Sequence, residues 1–280
     1  NPMDDNGHGT HVAATAAGNG TLKGVAPGAN VLAYKVLDSG GFGYISTVME
    51  GIERAVEDKA DIISMSLGGE GNPDDPVSQA VDNAADAGVV SVIAAGNSGP
   101  GEQTIESPGT ARKAITVGAT DKEDKIASFS SNGPVVWENN NGDEMTIIKP
   151  DLVAPGVNIC AAEYDSSWSD RRCLDDKHIS ISGTSMATPH VAGAIALLKQ
   201  KNPDWTPDEI KSVLKETAKD LGISLIEQGA GRIDVKDAVA INDKFPIVSI
   251  YSVKDSEKVT IFATAKSGNF EYYKLYYIMK

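Results

Sequence analysis

Apolar positions in this chain follow two rhythms. Asp61 to Leu67, Val89 to Ala95 and Ala114 to Ala119 are short, nearly continuous apolar runs. Such runs read as parallel strands covered on both faces. Asn30 to Leu37 and His178 to Ser182 read as strands too, and Asp151 to Ile159 returns toward the core. Between the runs the spacing changes to that of a helix. Ile45, Val48, Met49, Ile52 and Val56 share one face of a helix over 45–58. Pro76 to Gly88 forms a second helix stopped by its glycine. Small residues predict a helix from about His8 to Ala17, and further helices cover Val191 to Lys201, Pro207 to Ala218 and Val235 to Ile241. Thr206 caps the helix that opens on Pro207. Strands alternating with helices give an α/β fold with three layers, a parallel sheet with helices on both faces. Ligands bind such sheets at the carboxyl ends of the strands. The glycine-rich segments at 40–43, 68–69 and 96–99 all fall at that edge.

Two stretches break the pattern. Val135 to Ile148, around Asn139-Asn140-Asn141-Gly142, reads as an inserted hairpin. From Asp243 onward the period is two: Pro246 to Val253, Val259 to Ala265 and a Tyr-rich run from Phe270 to Ile278. The expected organisation is therefore a main domain over 1–242. Residues 243–280 are the start of a β-sandwich-like module or a β extension packed on the main domain.

Composition narrows the chemistry. The chain has 280 residues, 41% of them hydrophobic, which suffices for one large domain with a substantial core. Its net charge of −14 argues against nucleic acid or an anionic membrane as partner. No apolar run approaches the ~20 residues of a membrane span. Cys160 and Cys173 flank a polar loop containing Trp168 and Arg171-Arg172, and a local disulfide and two free thiols are both compatible with the spacing. His8 and His11 alone supply too few ligands for zinc.

The densest signal is Gly183-Thr184-Ser185-Met186-Ala187-Thr188-Pro189-His190, between a strand and a helix. A serine there sits beside unpaired helix N–H groups and the positive end of the dipole, where negative charge is favoured. Acyl transfer needs that arrangement for its oxyanion; the plain alternative is an N-cap serine. Gly7-His8-Gly9-Thr10-His11 and Ala94-Ala95-Gly96-Asn97-Ser98-Gly99 complete a set of three. In this order, the three motifs closely resemble the subtilisin-like serine peptidases over about residues 5–241.

The resemblance implies a serine endopeptidase with Ser185 as nucleophile, His8 as general base and Asn97 as oxyanion donor. Thr184 supports the oxyanion hole, and His11 and His190 are structural. Gly41-Phe42-Gly43 and Ser66-Leu67-Gly68-Gly69 would flank an extended substrate, with Ala95 and Gly96 walling the first pocket and Glu106 at its base. Glu106, with Asp4 and Asp5 near the next subsite, hints at Lys or Arg in the substrate; solvated surface acids are the plainer alternative. Protein or peptide substrates, an inhibitory prosegment and a secreted or cell-surface location follow from the same resemblance.

The pattern also breaks. The family's catalytic Asp, carried in an Asp-Thr/Ser-Gly motif tens of residues before the His, has no counterpart in the seven residues before His8. Asp4, Asp5, Asp38 and Asp61 are poorly placed to replace it. A segment N-terminal to this chain or a separate chain would supply the acid and a core strand; a truncated, inactive relative is the other expectation. No cofactor is required. Calcium is admitted as a structural ion without an assigned site: the short Gly18–Gly24 stretch lacks the loop that binds it in bacterial relatives, and Asp151 falls where some members hold a weaker cation. The competing function is a non-catalytic binding protein of the same fold at a cell surface. An α/β-hydrolase esterase is disfavoured, because Ser185 lacks a Gly-x-Ser-x-Gly setting.

Overall fold

Four parallel strands, β1 (Ile62–Met65), β2 (Val90–Ala94), β3 (Ile115–Thr120) and β6 (Leu152–Pro155), lie side by side in the order β1-β2-β3-β6. The computed structural model describes residues 2–165, 168–243, 245, 247–254 and 259–266. Because side chains alternate across a strand, each strand serves both layers. Val90, Val92, Ile115, Val117, Ala119, Leu152 and Ala154 point to one face and pack on α4 (Thr184–Lys201) and α5 (Pro207–Glu216). Ile63, Met65 and Ile93 point to the other and pack with α2 (Ile45–Glu57) and α3 (Pro76–Asp86). This is the expected three-layer arrangement.

Helix boundaries follow local chemistry. Thr206 and Glu209 form a reciprocal capping box on α5, and Asp75 caps α3 through Ser78 N. Helix α1 (His8–Ala17) packs along α4. At their contact a Cβ on Gly193 would lie 2.5 Å from Val25 Cβ and 3.0 Å from Ala16 O, so only glycine permits the approach. Helix α4 begins at Thr184, seven residues before the apolar run that signalled it, with Pro189 accommodated inside.

Sequence periodicity misses β7 (Ile159–Ala162), the one-turn α6 (Leu225–Gln228), and the pairing of β7 with β8 (His178–Ile181) in a separate two-stranded sheet. Cys160 and Cys173 form a disulfide that staples the loop between those strands. α7 (Val235–Ala240) ends the main helical series.

The hairpin over 135–148 forms as β4 (Val135–Glu138) and β5 (Glu144–Ile147). β5 pairs with β9 (Ile247–Lys254), which pairs with β10 (Val259–Lys266), giving an antiparallel sheet β10-β9-β5-β4. The third C-terminal run, Phe270 to Ile278, lies outside the described residues.

The expected strand over 30–37 is corrected. This segment has no ladder partner among the described residues, and Val31 and Leu32 are 54% and 53% exposed. Tyr34 and Val36 still pack against the cluster that holds β1, α2 and α3. β1 is bonded only to β2, so its other edge is open among the described residues. A strand exists only when its backbone groups find a neighbour, and here the chain provides an extended segment without one.

Candidate active site

The motifs meet at the carboxyl ends of β1 and β2. Ser185 is the second residue of α4, after the extended Gly183 at the N-cap and Thr184 at the first helical position. Its N–H has no partner among the described residues, leaving it aimed outward with the positive end of an 18-residue helix behind it. Ser66, just past β1, donates from Oγ to the Ser185 carbonyl at 2.8 Å, while Ser185 Oγ lies 3.4 Å from the Ser66 carbonyl. The nucleophile candidate is thus tied to the sheet edge.

Asn97 follows β2. Its Oδ1 accepts from Thr184 N at 2.9 Å and Thr184 Oγ1 at 3.1 Å. Thr184 Oγ1 also lies 3.1 Å from Gly96 O and accepts from Gly96 N at 3.3 Å. An amide whose oxygen is held by two donors must turn its NH₂ the other way. The Asn97 Nδ2 group has no partner among the described residues and is exposed beside Ser185. Gly96 has φ +109°, a conformation glycine adopts without strain.

His8 opens α1 after Gly7, whose φ is +101°. Ala16, at the Gly193 crossing, is eight residues beyond His8 (16 − 8), and Gly193 is eight beyond Ser185 (193 − 185). Val12 packs against the cluster that contains Met186, nearer the other end, as expected of helices that run in the same direction. His8 and Ser185 thus lie toward the same end of the paired helices, and no hydrogen bond joins the His8 ring to Ser185 Oγ among the described residues. Burial lowers the His8 pKa, and Asp4 opposes this. No carboxylate pairs with the His8 ring among the described residues.

The acids near His8 are otherwise engaged. Asp4 accepts from Asn6 N, Gly7 N, Thr10 N and Thr10 Oγ1 at 2.6–3.0 Å. Burial raises its pKa, but these donors more than offset that and lower it to about 2. Asp4 therefore caps α1, a role that an Asp three residues before the motif glycine could have signalled. Asp5 pairs with Lys35 at 3.2 Å. His11 is buried, its Nε2 3.0 Å from Ile159 O, and His190 Nδ1 bonds Met186 O at 2.8 Å.

Beside Asn97 lies a surface cavity of about 610 Å³, lined by residues including Gly68, Gly69, Ser98, Ile105 and Glu106. Leu67 is half-buried next to it, and Ala95 is buried behind it in a cluster with Ile105, Val135 and Trp137. Gly41, Phe42 and Gly43 are exposed in the loop before α2. Asp38 binds that loop rather than His8, accepting from Gly40 N and Phe42 N.

No group of three or more His, Cys, Asp or Glu residues is arranged to hold a metal among the described residues. Asp151 in particular does not fit a cation: Lys149 Nζ and Lys211 Nζ already hold its carboxylate at 2.7 and 2.9 Å.

Comparison with known proteins settles the family. The model of the Subtilase family matches residues 1–231. The chain belongs to the subtilase family. Among subtilases, it is 42% identical over 269 residues to the serine protease AprX of Bacillus subtilis, covering 85% of this chain and 59% of that protease. It is 41% identical over 239 residues to subtilisin Savinase of Lederbergia lenta, covering 84% of this chain and 78% of that protein. A crystal structure of a cold-adapted subtilisin-like serine proteinase superposes with a TM-score of 0.65 at 34% identity, over 83% of this chain and 74% of that one.

Proposed function

We propose that this subtilase chain carries the nucleophile, general base and oxyanion donor of a serine endopeptidase acting through an acyl-enzyme. The carrying observation is the pair of free donors, Ser185 N–H and Asn97 Nδ2, beside the Ser185 hydroxyl. In this reading His8 takes the Ser185 proton as Oγ attacks the substrate carbonyl, and the oxyanion falls between the two donors. The tetrahedral species collapses as His8 returns the proton to the leaving amine. Water then repeats the cycle on the acyl-enzyme. Thr184 holds Asn97 in register. The loops at 41–43 and 66–69 bind substrate backbone as an added strand.

His8 needs a carboxylate to orient it and to stabilise its charged form. An extended segment, N-terminal to this chain or from another chain, would pair between the open edge of β1 and residues 30–37 and carry that acid. The unpaired edge and the exposed Val31 and Leu32 support this placement. An inhibitory prosegment, secretion and a structural calcium bound elsewhere than at Asp151 complete the reading. No helix of the described residues is long and apolar enough to cross a membrane. The disulfide supports an oxidising compartment.

The test is a fluorophosphonate probe on the protein with its acid-bearing segment. Labelling should map to the peptide containing Ser185; an unlabelled protein, or a label elsewhere, removes the catalytic reading in favour of a binding protein. Asn97→Leu should lower kcat by about 10²–10³ with little change in KM, a magnitude that itself comes from a subtilisin. Steady-state kinetics on a chromogenic peptide reads this. A rise in KM of that size with kcat unchanged would mean that Asn97 binds ground-state substrate instead.

A further inference from the structure

The geometry points to Glu106 as a selector for lysine or arginine on the acyl side of the cleaved bond, an inference that rests on the peptidase reading and names its substrate class. Glu106 lines the cavity beside Asn97. Its carboxylate lies between the two backbone segments that frame it. A Cβ on Gly68 would come within 2.7 Å of Glu106 Oε2, and one on Gly96 within 2.7 Å of Cδ. Glycine at both positions is what makes room for the acid. Its backbone is fixed as well, since Glu106 N donates to Ala95 O at 2.9 Å.

One carboxylate oxygen is aimed by the protein and the other is left over. Ser98 Oγ donates to Oε1 at 2.8 Å. Ser98 is itself positioned by its N–H on Ser131 Oγ at 3.0 Å. No lysine or arginine pairs with Glu106 among the described residues, although other acids of this chain, such as Asp74, Asp124 and Asp151, have cationic partners. Glu106 is also only partly exposed. A half-buried carboxylate with one fixed oxygen and no counter-charge presents an acceptor to whatever enters the cavity. A substrate ammonium or guanidinium satisfies it. A leucine or phenylalanine leaves it desolvated and unpaired, and a substrate glutamate meets like charge. Link by link, Glu106 is joined to the nucleophile: Gly96 beside it bonds Thr184, the residue before Ser185.

Fluorescein-labelled peptides Ala-Ala-Pro-Lys, Ala-Ala-Pro-Leu and Ala-Ala-Pro-Glu, as C-terminal amides, test this on the protein with its acid-bearing segment. Ser185→Ala protein is used, so that binding is read by anisotropy without turnover. The lysine peptide should bind about tenfold or more tighter than the leucine peptide, and the glutamate peptide weakest. Glu106→Gln should bring lysine and leucine together. Glu106→Asp should retain part of the preference, and Glu106→Lys should favour the glutamate peptide. Equal binding of lysine and leucine peptides, a lysine preference that survives Glu106→Gln, or no binding of any peptide overturns the assignment. Fluorophosphonate labelling of the Ser185 protein reports separately on the catalytic reading, so the two fail in distinguishable ways.

Discussion

Replacing Ser185 by alanine is expected to lower peptide turnover by about 10⁶-fold, a magnitude measured in a subtilisin of this family. Fluorophosphonate labelling should vanish with it. His8→Ala should cost nearly as much, and the double variant no more than either single one, because base and nucleophile act in one proton transfer. Turnover with a chromogenic peptide, measured on the protein with its acid-bearing segment, checks all three. Additive losses would mean that His8 acts outside the Ser185 step. The titration of His8 carries its own expectation. In this chain burial lowers its pKa below the ordinary histidine value. The neutral form, which is the one able to accept the serine proton, therefore persists as pH falls past that value. A carboxylate placed against the ring favours the charged form, so the segment that brings the acid should raise the His8 midpoint. NMR titration of the His8 ring, with and without that segment, reads the shift; an unchanged midpoint would place the acid elsewhere.

The largest expected loss of stability lies at the other end of the sheet. Asp151 is 4% exposed and Lys149 is 2% exposed. Asp151 Oδ2 accepts from Lys149 Nζ at 2.7 Å and Thr116 N at 2.9 Å, and Oδ1 from Lys211 Nζ at 2.9 Å. Both ammonium groups also donate to Ala114 O. Burial pushes the Asp151 carboxyl up, but the lysines more than offset it and hold it well below the usual carboxylate range. Burial lowers Lys149, and Asp151 opposes this. Asp151→Ala would leave a buried ammonium facing a second one without compensation, at a cost of about 3–5 kcal/mol. Adding Lys149→Met should recover part of that loss, since an apolar side chain carries no desolvation cost there. Urea unfolding midpoints compare the variants. The cluster sits at the start of β6, away from Ser185, so fluorophosphonate labelling of folded Asp151→Ala protein should persist. A loss below about 1 kcal/mol would show that the site relaxes or admits water.

Much of this fold is legible in the sequence. The strands β1, β2 and β3 are largely apolar runs, and α2 carries its period, α3 its glycine stop and α5 its capping threonine in the sequence. The three motifs that form the site are contiguous short segments, so they survive translation from sequence to space. What is not legible depends on partners far along the chain. Residues 30–37 have strand composition but no ladder, because composition cannot supply a neighbour. β9 reads as the start of a separate module or of a β extension on the main domain, and its pairing with β5, across about a hundred residues of sequence, is not written in either run. Asp4 reads as an acid near His8, while its hydrogen bonds make it a helix cap. The resemblance already expects Glu106 at the base of the first pocket; what requires the fold is its close approach to Gly68 and Gly96 and its hydrogen bond from Ser98.

The open flank of β1 has a consequence for how this chain behaves in solution. An extended backbone with free N–H and C=O groups is a template for any strand that reaches it. At low concentration, water and the net charge of −14 keep copies apart. As concentration rises, the nearest available strand belongs to another copy, and a non-self-complementary edge contact of that kind does not close on itself but grows. The edge proposed to receive the acid-bearing strand is thus also a template for association between copies, and a strand that covers it would remove that template.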